Sequence, residues 1–230
     1  MPFVLRELAQ IVSADILSIE GVTRFSPNRR FASLYAEGSP AENVYFLESG
    51  MVKTFKRNEE SKEIILEIVI PGELFGWQAL GPERQCEVSA EILHEGIIHV
   101  IPREVILQCC TARPDLWRLL AAALLNAKRQ LERKIELLCL HDVEYRILYF
   151  VGQLAETIGS VADDHARSIP LSQGELASLI GATRETTSTT LNTLARRGLL
   201  RLGRRELTVP SMDVLRATTA ERVSKAALGD

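Results

Sequence analysis

Leu171-Ser-Gln-Gly-Glu-Leu-Ala-Ser-Leu-Ile-Gly-Ala-Thr-Arg-Glu-Thr-Thr-Ser-Thr-Thr-Leu-Asn-Thr-Leu-Ala-Arg-Arg-Gly-Leu-Leu-Arg-Leu-Gly-Arg-Arg-Glu-Leu-Thr-Val209 is the stretch that decides the fold. Ser172 with Glu175 three residues on is a capping-box pattern, in which each side chain can accept from the other residue's backbone N–H. Leu176, Leu179 and Ile180 give the following helix an apolar stripe. Gly181 comes next, where a left-handed residue ends a helix. Thr183 can cap a second helix through its hydroxyl. Leu191, Leu194 and Ala195 form the inner face of that helix; Arg184, Glu185, Ser188, Thr189 and Asn192 form the outer one. Gly198 closes it. Leu199–Leu202 and Glu206–Val209 then alternate as two short strands around Gly203-Arg204-Arg205.

This order spells a winged helix-turn-helix, whose second helix enters the DNA major groove. The outer face carries short or fork-shaped side chains suited to base edges and phosphates. Arg204 and Arg205 at the hairpin tip suit phosphates. The competing reading is a helical hairpin with a solvated polar face; the fixed sequence of cap, turn, polar helix and basic hairpin favours DNA. Between Gly181 and Pro210 six arginines stand against two glutamates, a local charge of +4 in a chain of net charge −3. Phosphate attraction is local and screened, so a basic corner on an acidic protein suffices.

The 230 residues allow two domains, and 46% hydrophobic with 25% charged content is that of an ordinary globular protein. No run approaches the ~20 apolar residues of a membrane span. The first residues lack the basic, apolar and small-residue succession of a signal peptide, so a cytoplasmic protein without membrane contact is expected. Of the four cysteines, Cys86, Cys109, Cys110 and Cys139, none forms a Cys-x-x-Cys pair. Buried, inert thiols are the expectation, with a redox role for the vicinal pair as the alternative.

Leu5, Leu8, Ile11, Val12 and Ile16 have helical spacing. From Gly21 to Pro102 short alternating runs (Val44–Leu47, Met51–Phe55, Ile64–Ile70, Ile97–Ile101) are punctuated by glycines, the pattern of a small antiparallel barrel or roll. Pro114 opens a long helix with apolar residues at steps of three and four. Leu116, Leu120, Leu124, Ala127, Leu131, Ile135 and Leu138 make a candidate dimer seam flanked by Arg and Glu, against the alternative of a helix packed only on its own domain. A further helix is expected over Asp142–Ile158 and a polar loop over Gly159–Ser168, with Asp163-Asp164. The fold class is therefore α+β: residues 1–112 form a small antiparallel barrel or roll, 113–140 a candidate dimerisation helix, and 141–230 the winged helix-turn-helix.

In this order the chain resembles the Crp/Fnr family of bacterial transcription regulators. The matching pieces are Tyr35–Lys53, Pro71-Gly-Glu-Leu-Phe-Gly76, His141-Asp-Val-Glu-Tyr-Arg-Ile147 and Gly181-Ala-Thr-Arg-Glu-Thr-Thr-Ser188. The resemblance implies that residues 1–112 are a cyclic-nucleotide-binding-like β-roll that senses an effector, and that the chain is a homodimer that binds a near-palindromic double-stranded DNA operator, contacts RNA polymerase and answers to a small-molecule or redox effector. It places Arg184 and Glu185 on base edges, with Ser188 beside them, and Ser172 and Gln173 on phosphates. Thr183, Thr187, Thr189, Asn192, Arg204 and Arg205 complete the candidate DNA-contacting set. Thr189 departs from the family's usual arginine, so the preferred half-site is expected to differ from the common ones.

The resemblance also outlines an effector pocket from Gly72, Glu73, Leu74, Phe75, Gly76, Trp77, Arg84, Val88, Ser89 and Leu131. Cyclic-AMP-binding members place a glutamate where Trp77 stands and an arginine before Ser/Thr-Ala, where this chain reads Val88-Ser89-Ala90. Losing the cation that pairs with a buried phosphate costs roughly 2–5 kcal/mol. Cyclic AMP is therefore not the expected signal, although Arg84 lies close enough in sequence to substitute in part. With no cysteine before Cys86, a cluster on N-terminal cysteines is not expected either. His94, His99, His141 and His165 have no marking spacing and read as structural. No resident cofactor or metal is expected. The alternatives are a haem- or redox-responsive regulator, or a sensor module acting on a protein partner. Hydrolase, zinc-protease, phosphate-loop and Rossmann motifs are missing, so an enzyme is not expected.

Overall fold

The computed structural model describes residues 8–27, 30–161 and 166–228. Leu5, Asp163-Asp164 and His165 lie outside them. The chain divides into two compact units, Met1–Glu132 and Arg133–Asp230. No helix among the described residues is long and apolar enough to cross a membrane.

The first unit begins with helical residues 8–11 and a π-helical turn, Val12–Ile16, which buries Leu8, Val12 and Ile16. Six strands follow: β1 (Thr23–Phe25), β2 (Ser33–Tyr35), β3 (Asn43–Arg57), β4 (Glu63–Val69), β5 (Leu74–Phe75) and β6 (Ser89–Pro102). They form one antiparallel sheet in the order β1-β6-β3-β4, with β2 added to β6 and β5 to β3. The runs at Val44–Leu47 and Met51–Phe55 turn out to be one 15-residue strand. Its pairing with β6 shifts register between Leu47 and Ser49, Ser49 and Met51, and Met51 and Val52, so the two long strands bend instead of stopping. Glycines occupy the bend because nothing else fits. A Cβ on Gly96 would stand 2.0 Å from the Ser49 carbonyl oxygen, and one on Gly50, at φ +91°, 2.7 Å from that of His94.

Lys53 of β3 is buried at 3% exposure. Its Nζ lies 2.7 Å from Glu63 of β4 and 3.2 Å from Glu91 of β6. Arg57 Nη2 reaches the same two carboxylates at 2.8 and 3.2 Å. Lys53 Nζ also stands 4.4 Å from the Phe55 ring centroid. Two cations matched to two anions across three strands are the condition under which a buried charge is tolerated.

Helix α1 (Arg103–Ala112) and the 26-residue α2 (Asp115–Leu140) follow. Here the seam expectation needs correction. Leu116 and Leu120 are 2% and 4% exposed and belong, with Leu119 and Ala123, to the core of the first unit. What remains outside keeps Leu124 and Leu131 of that seam and joins them to Trp117, Ala121 and Lys128, at steps of four and three. Trp117, Leu124 and Leu131 are 48%, 43% and 47% exposed. Ile135, within the second unit, is also exposed. Leu138 is half-buried in that unit, against Gly181.

The second unit contains α3 (Val143–Ile158), β7 (Ser160–Val161), β8 (Arg167–Ile169), α4 (Gln173–Ile180), α5 (Arg184–Arg196), β9 (Arg201–Gly203), β10 (Glu206–Val209) and α6 (Met212–Leu228). Its sheet runs β7-β8-β10-β9. The segment expected to be a loop over 159–168 thus supplies β7 and the first residues of β8. Ser168 and Ile169 are buried, and Leu207 of β10 pairs with Ile169. Strands of two and three residues are too short to show alternation in a sequence. Ile147, Leu148, Leu176, Ile180, Leu191 and Leu207 supply much of the buried core.

Candidate nucleic-acid interface

The capping box of α4 forms in full. Ser172 Oγ accepts from the Glu175 N–H at 3.2 Å, and the Glu175 carboxylate accepts from the Ser172 N–H at 2.6 Å. Gly181 ends the helix at φ +64°, and the Ile180 carbonyl accepts from Arg146 Nη1 at 2.8 Å, so the helix end is satisfied. Thr183 caps α5, its Oγ1 accepting from the Thr186 N–H at 3.1 Å.

The hydroxyls along α5 sort its faces. Thr187 is fully buried, and its Oγ1 donates to the Thr183 carbonyl at 2.8 Å. It is not a DNA contact, and the expectation that it would be is corrected: a threonine in a helix can spend its hydroxyl on the carbonyl four residues back. Thr190 and Thr193 do the same with Thr186 and Thr189. Arg184, Glu185, Thr189 and Asn192 are exposed, with Ser188 half-buried among them. Their numbering places them along one flank of the helix. Ser172 and Gln173 are half-buried at the start of α4. The Arg184 guanidinium lies over Gly174: a Cβ there would meet its Nε, Cζ and Nη2 at 3.5, 3.7 and 3.7 Å.

Arg204 and Arg205 form the exposed two-residue turn between β9 and β10, with Arg205 at φ +58°. Arg201 on β9 is exposed as well and extends this basic wing; the sequence reading counted its charge but did not name it as a contact. Arg197 is a different case. Its Nη1 lies 2.7 Å from Glu144 Oε1 on α3, and Arg222 of α6 shares that oxygen at 2.7 Å while also pairing with Asp142. One arginine of the local charge therefore ties down the end of α5.

The candidate effector residues occupy the first unit. Gly76, at φ +79°, sits against a ring: its Cβ would meet Tyr45 Cδ2 at 2.8 Å. Phe75 stacks on Tyr45 at 5.1 Å, and Tyr45 meets Tyr35 at 5.4 Å. The Tyr35 hydroxyl is buried with no hydrogen-bond partner among the described residues, and burial pushes its pKa up. Burial, and after it the nearby Glu67, push Glu73 up to about 7, while its carboxylate accepts from the Ile70 N–H at 3.1 Å. Gly72 takes φ +90° and donates its N–H to the Leu47 carbonyl at 2.7 Å. Leu74 is buried; Trp77 and Val88 pack half-buried against the core. Ser89 Oγ accepts from the Glu37 N–H at 2.9 Å. Arg84 stands in an exposed turn at φ +48°, its carbonyl accepting from the Ala41 N–H. Leu131 is 47% exposed and stands outside the core cluster, so within one chain it does not line this site.

His99 is hydrogen-bonded to Glu48 at 2.6 Å, His141 stacks on Tyr145 at 4.2 Å, and His94 Nδ1 meets the Glu95 carbonyl at 3.1 Å. Cys86 and Cys110 are buried, Cys109 is half-buried, and Cys139 is exposed, against the expectation for that thiol. Burial pushes the thiols of Cys109 and Cys110 up, that of Cys110 to about 11, away from the range of a reactive thiolate. Among the described residues no group of three or more His, Cys, Asp or Glu side chains is placed to hold a metal ion.

Residues 29–113 match the model of the cyclic nucleotide-binding domain, and residues 145–218 that of the Crp-like helix-turn-helix domain. The chain is 29% identical over 171 residues to the CRP-like cAMP-activated global transcriptional regulator of Mycobacterium tuberculosis, covering 74% of this chain and 76% of that one. It is 28% identical over 183 residues to the global nitrogen regulator of a Synechocystis strain, covering 78% and 81%. The structure of FixK2 from Bradyrhizobium japonicum shares the fold, with a TM-score of 0.74, 24% identity, and 85% and 96% of the two chains covered.

Proposed function

Since this chain belongs to the Crp/Fnr family of transcription regulators, we propose that it reads a near-palindromic operator as a homodimer, in response to a signal other than cyclic AMP. The observation that carries the DNA reading is the exposed flank of Arg184, Glu185, Thr189 and Asn192 beside the wing arginines. An arginine fork suits guanine O6 and N7, and a glutamate accepts from cytosine N4. With threonine at 189 that position reads a shorter reach of the groove. Two copies would insert α5 into major grooves about 34 Å apart, one helical turn. RNA polymerase is the partner through which bound regulator would act.

Selection from a random duplex pool, followed by affinity measurements at fixed salt, tests this. A two-fold-symmetric site should emerge. Arg184→Ala should lose about 1–3 kcal/mol on it and relax selectivity at one base pair. Failure of the wild-type chain to retard any duplex at low salt would overturn the proposal.

The dimer rests on the apolar stripe Trp117–Leu131 of α2, which the first unit leaves in solvent. A signal would act by changing how two copies of α2 pair, which requires different affinity for the two arrangements. The case against cyclic AMP rests on Trp77 and Val88, two apolar side chains packed toward the core where a cyclic phosphate and ribose call for charge. Cyclic AMP raising operator affinity would overturn it. No resident cofactor is proposed, His99 and His141 being engaged by Glu48 and Tyr145. A haem band in the freshly purified protein would contradict this.

A further inference from the structure

We propose that Gly174 is a specificity-determining residue that acts through Arg184, a role that rests on the DNA reading above. Gly174 is the second residue of α4, on a backbone any residue can adopt, since its φ is not among the positive ones. Glycine there weakens the helix relative to alanine. A cation over the first turn of a helix faces the positive end of its dipole. Neither helix propensity nor local electrostatics explains why a guanidinium rests on a glycine at this place. The geometry does. Nε, Cζ and Nη2 of Arg184 lie within 0.2 Å of one another in their distance from the missing Cβ, so the guanidinium turns its flat face, not its edge, to the place a side chain at 174 would start. A flat seat leaves the in-plane N–H edge open, and that edge is the part that forks onto a base. Arg184 has no hydrogen bond or ion pair among the described residues, so no polar partner fixes its direction. Seating the side chain beforehand reduces the rotamer freedom lost on binding, and this favours the one base pair that meets the fork.

The side chain at 174 therefore sets how sharply Arg184 discriminates. The experiment compares wild type, Gly174→Ala, Gly174→Gln, Arg184→Ala and the Gly174→Gln/Arg184→Ala double variant of the full chain. It reads the melting temperature and the ratio of affinities for the selected duplex and for one altered at the base pair that Arg184 recognises. Gly174→Gln should melt higher, since it removes a helical glycine, yet discriminate about tenfold less. The added methyl of Gly174→Ala stays at van der Waals distance, so that variant should melt higher and keep its discrimination. In the Arg184→Ala background Gly174→Gln should cost nothing further. A purely structural glycine would move the melting temperature alone. Full discrimination in Gly174→Gln, or a loss that adds to that of Arg184→Ala, overturns the inference while leaving DNA binding intact. If the wild-type chain binds no duplex, the DNA reading itself has failed.

Discussion

Gly181 shows what one residue contributes. It holds φ +64° and has Leu138 Cδ2 2.8 Å from where a Cβ would be. Gly181→Ala should therefore destabilise the chain by about 1–3 kcal/mol, from backbone strain and the displaced leucine together, as urea unfolding would show. The sequence announced this glycine because it ends an apolar stripe. Thr187 was not readable in the same way: a threonine donating to its own helix and one facing DNA look identical in a sequence, and burial decides between them. Glu73 gives a pH signature. Its folded-state pKa of about 7 lies above the ordinary 4.5, so the folded chain holds this proton more tightly than the unfolded one. Stability should fall as pH rises from about 4.5 to about 7 and level off above. Glu73→Gln keeps an acceptor for the Ile70 N–H and removes the charge. It should gain on the order of 2–3 kcal/mol at about pH 8, with the gain vanishing below the unfolded value. Denaturation curves across that range would check it.

Elements were legible in proportion to their length and caps. α4 and α5 carry a capping box, a cap and glycine stops, and their ends fall where those signals stand. β3 and β6 were read in pieces, because glycine at a bend and glycine at a turn carry the same signal. β10 was legible as the second strand of the basic hairpin, whereas β7 and β8 take their order from pairing with each other and with β10, and α6 presents no strong apolar stripe. The Lys53 network is also a property of elements: its members come from β3, β4 and β6 and meet only when those strands are in register. Lys53→Met leaves Glu63 and Glu91 with Arg57 as their common cation. It should cost about 2–4 kcal/mol in chemical denaturation.

At the scale of the molecule, α2 explains why the seam was half misread. Heptad spacing along a helix shows that two apolar stripes exist, not which one its own domain takes. The first unit claims Leu116, Leu119, Leu120 and Ala123, and leaves Trp117, Leu124 and Leu131 outside. Leu124→Asp/Leu131→Asp should therefore turn the proposed dimer into a folded monomer, seen as halved mass in sedimentation at micromolar concentration with the melting transition preserved. The candidate effector site was least legible, since residue types alone constrain a small ligand far less than a helix face constrains its partner.

The shared bend of the two longest strands restricts how the chain can vary by descent. Gly50 and Gly96 each press on main-chain oxygens rather than on a neighbour's side chain. A lesion at either one offers no second residue whose trimming would make room. Intragenic revertants of such lesions should restore glycine itself, and a saturation screen should return two invariant columns in an otherwise tolerant strand pair.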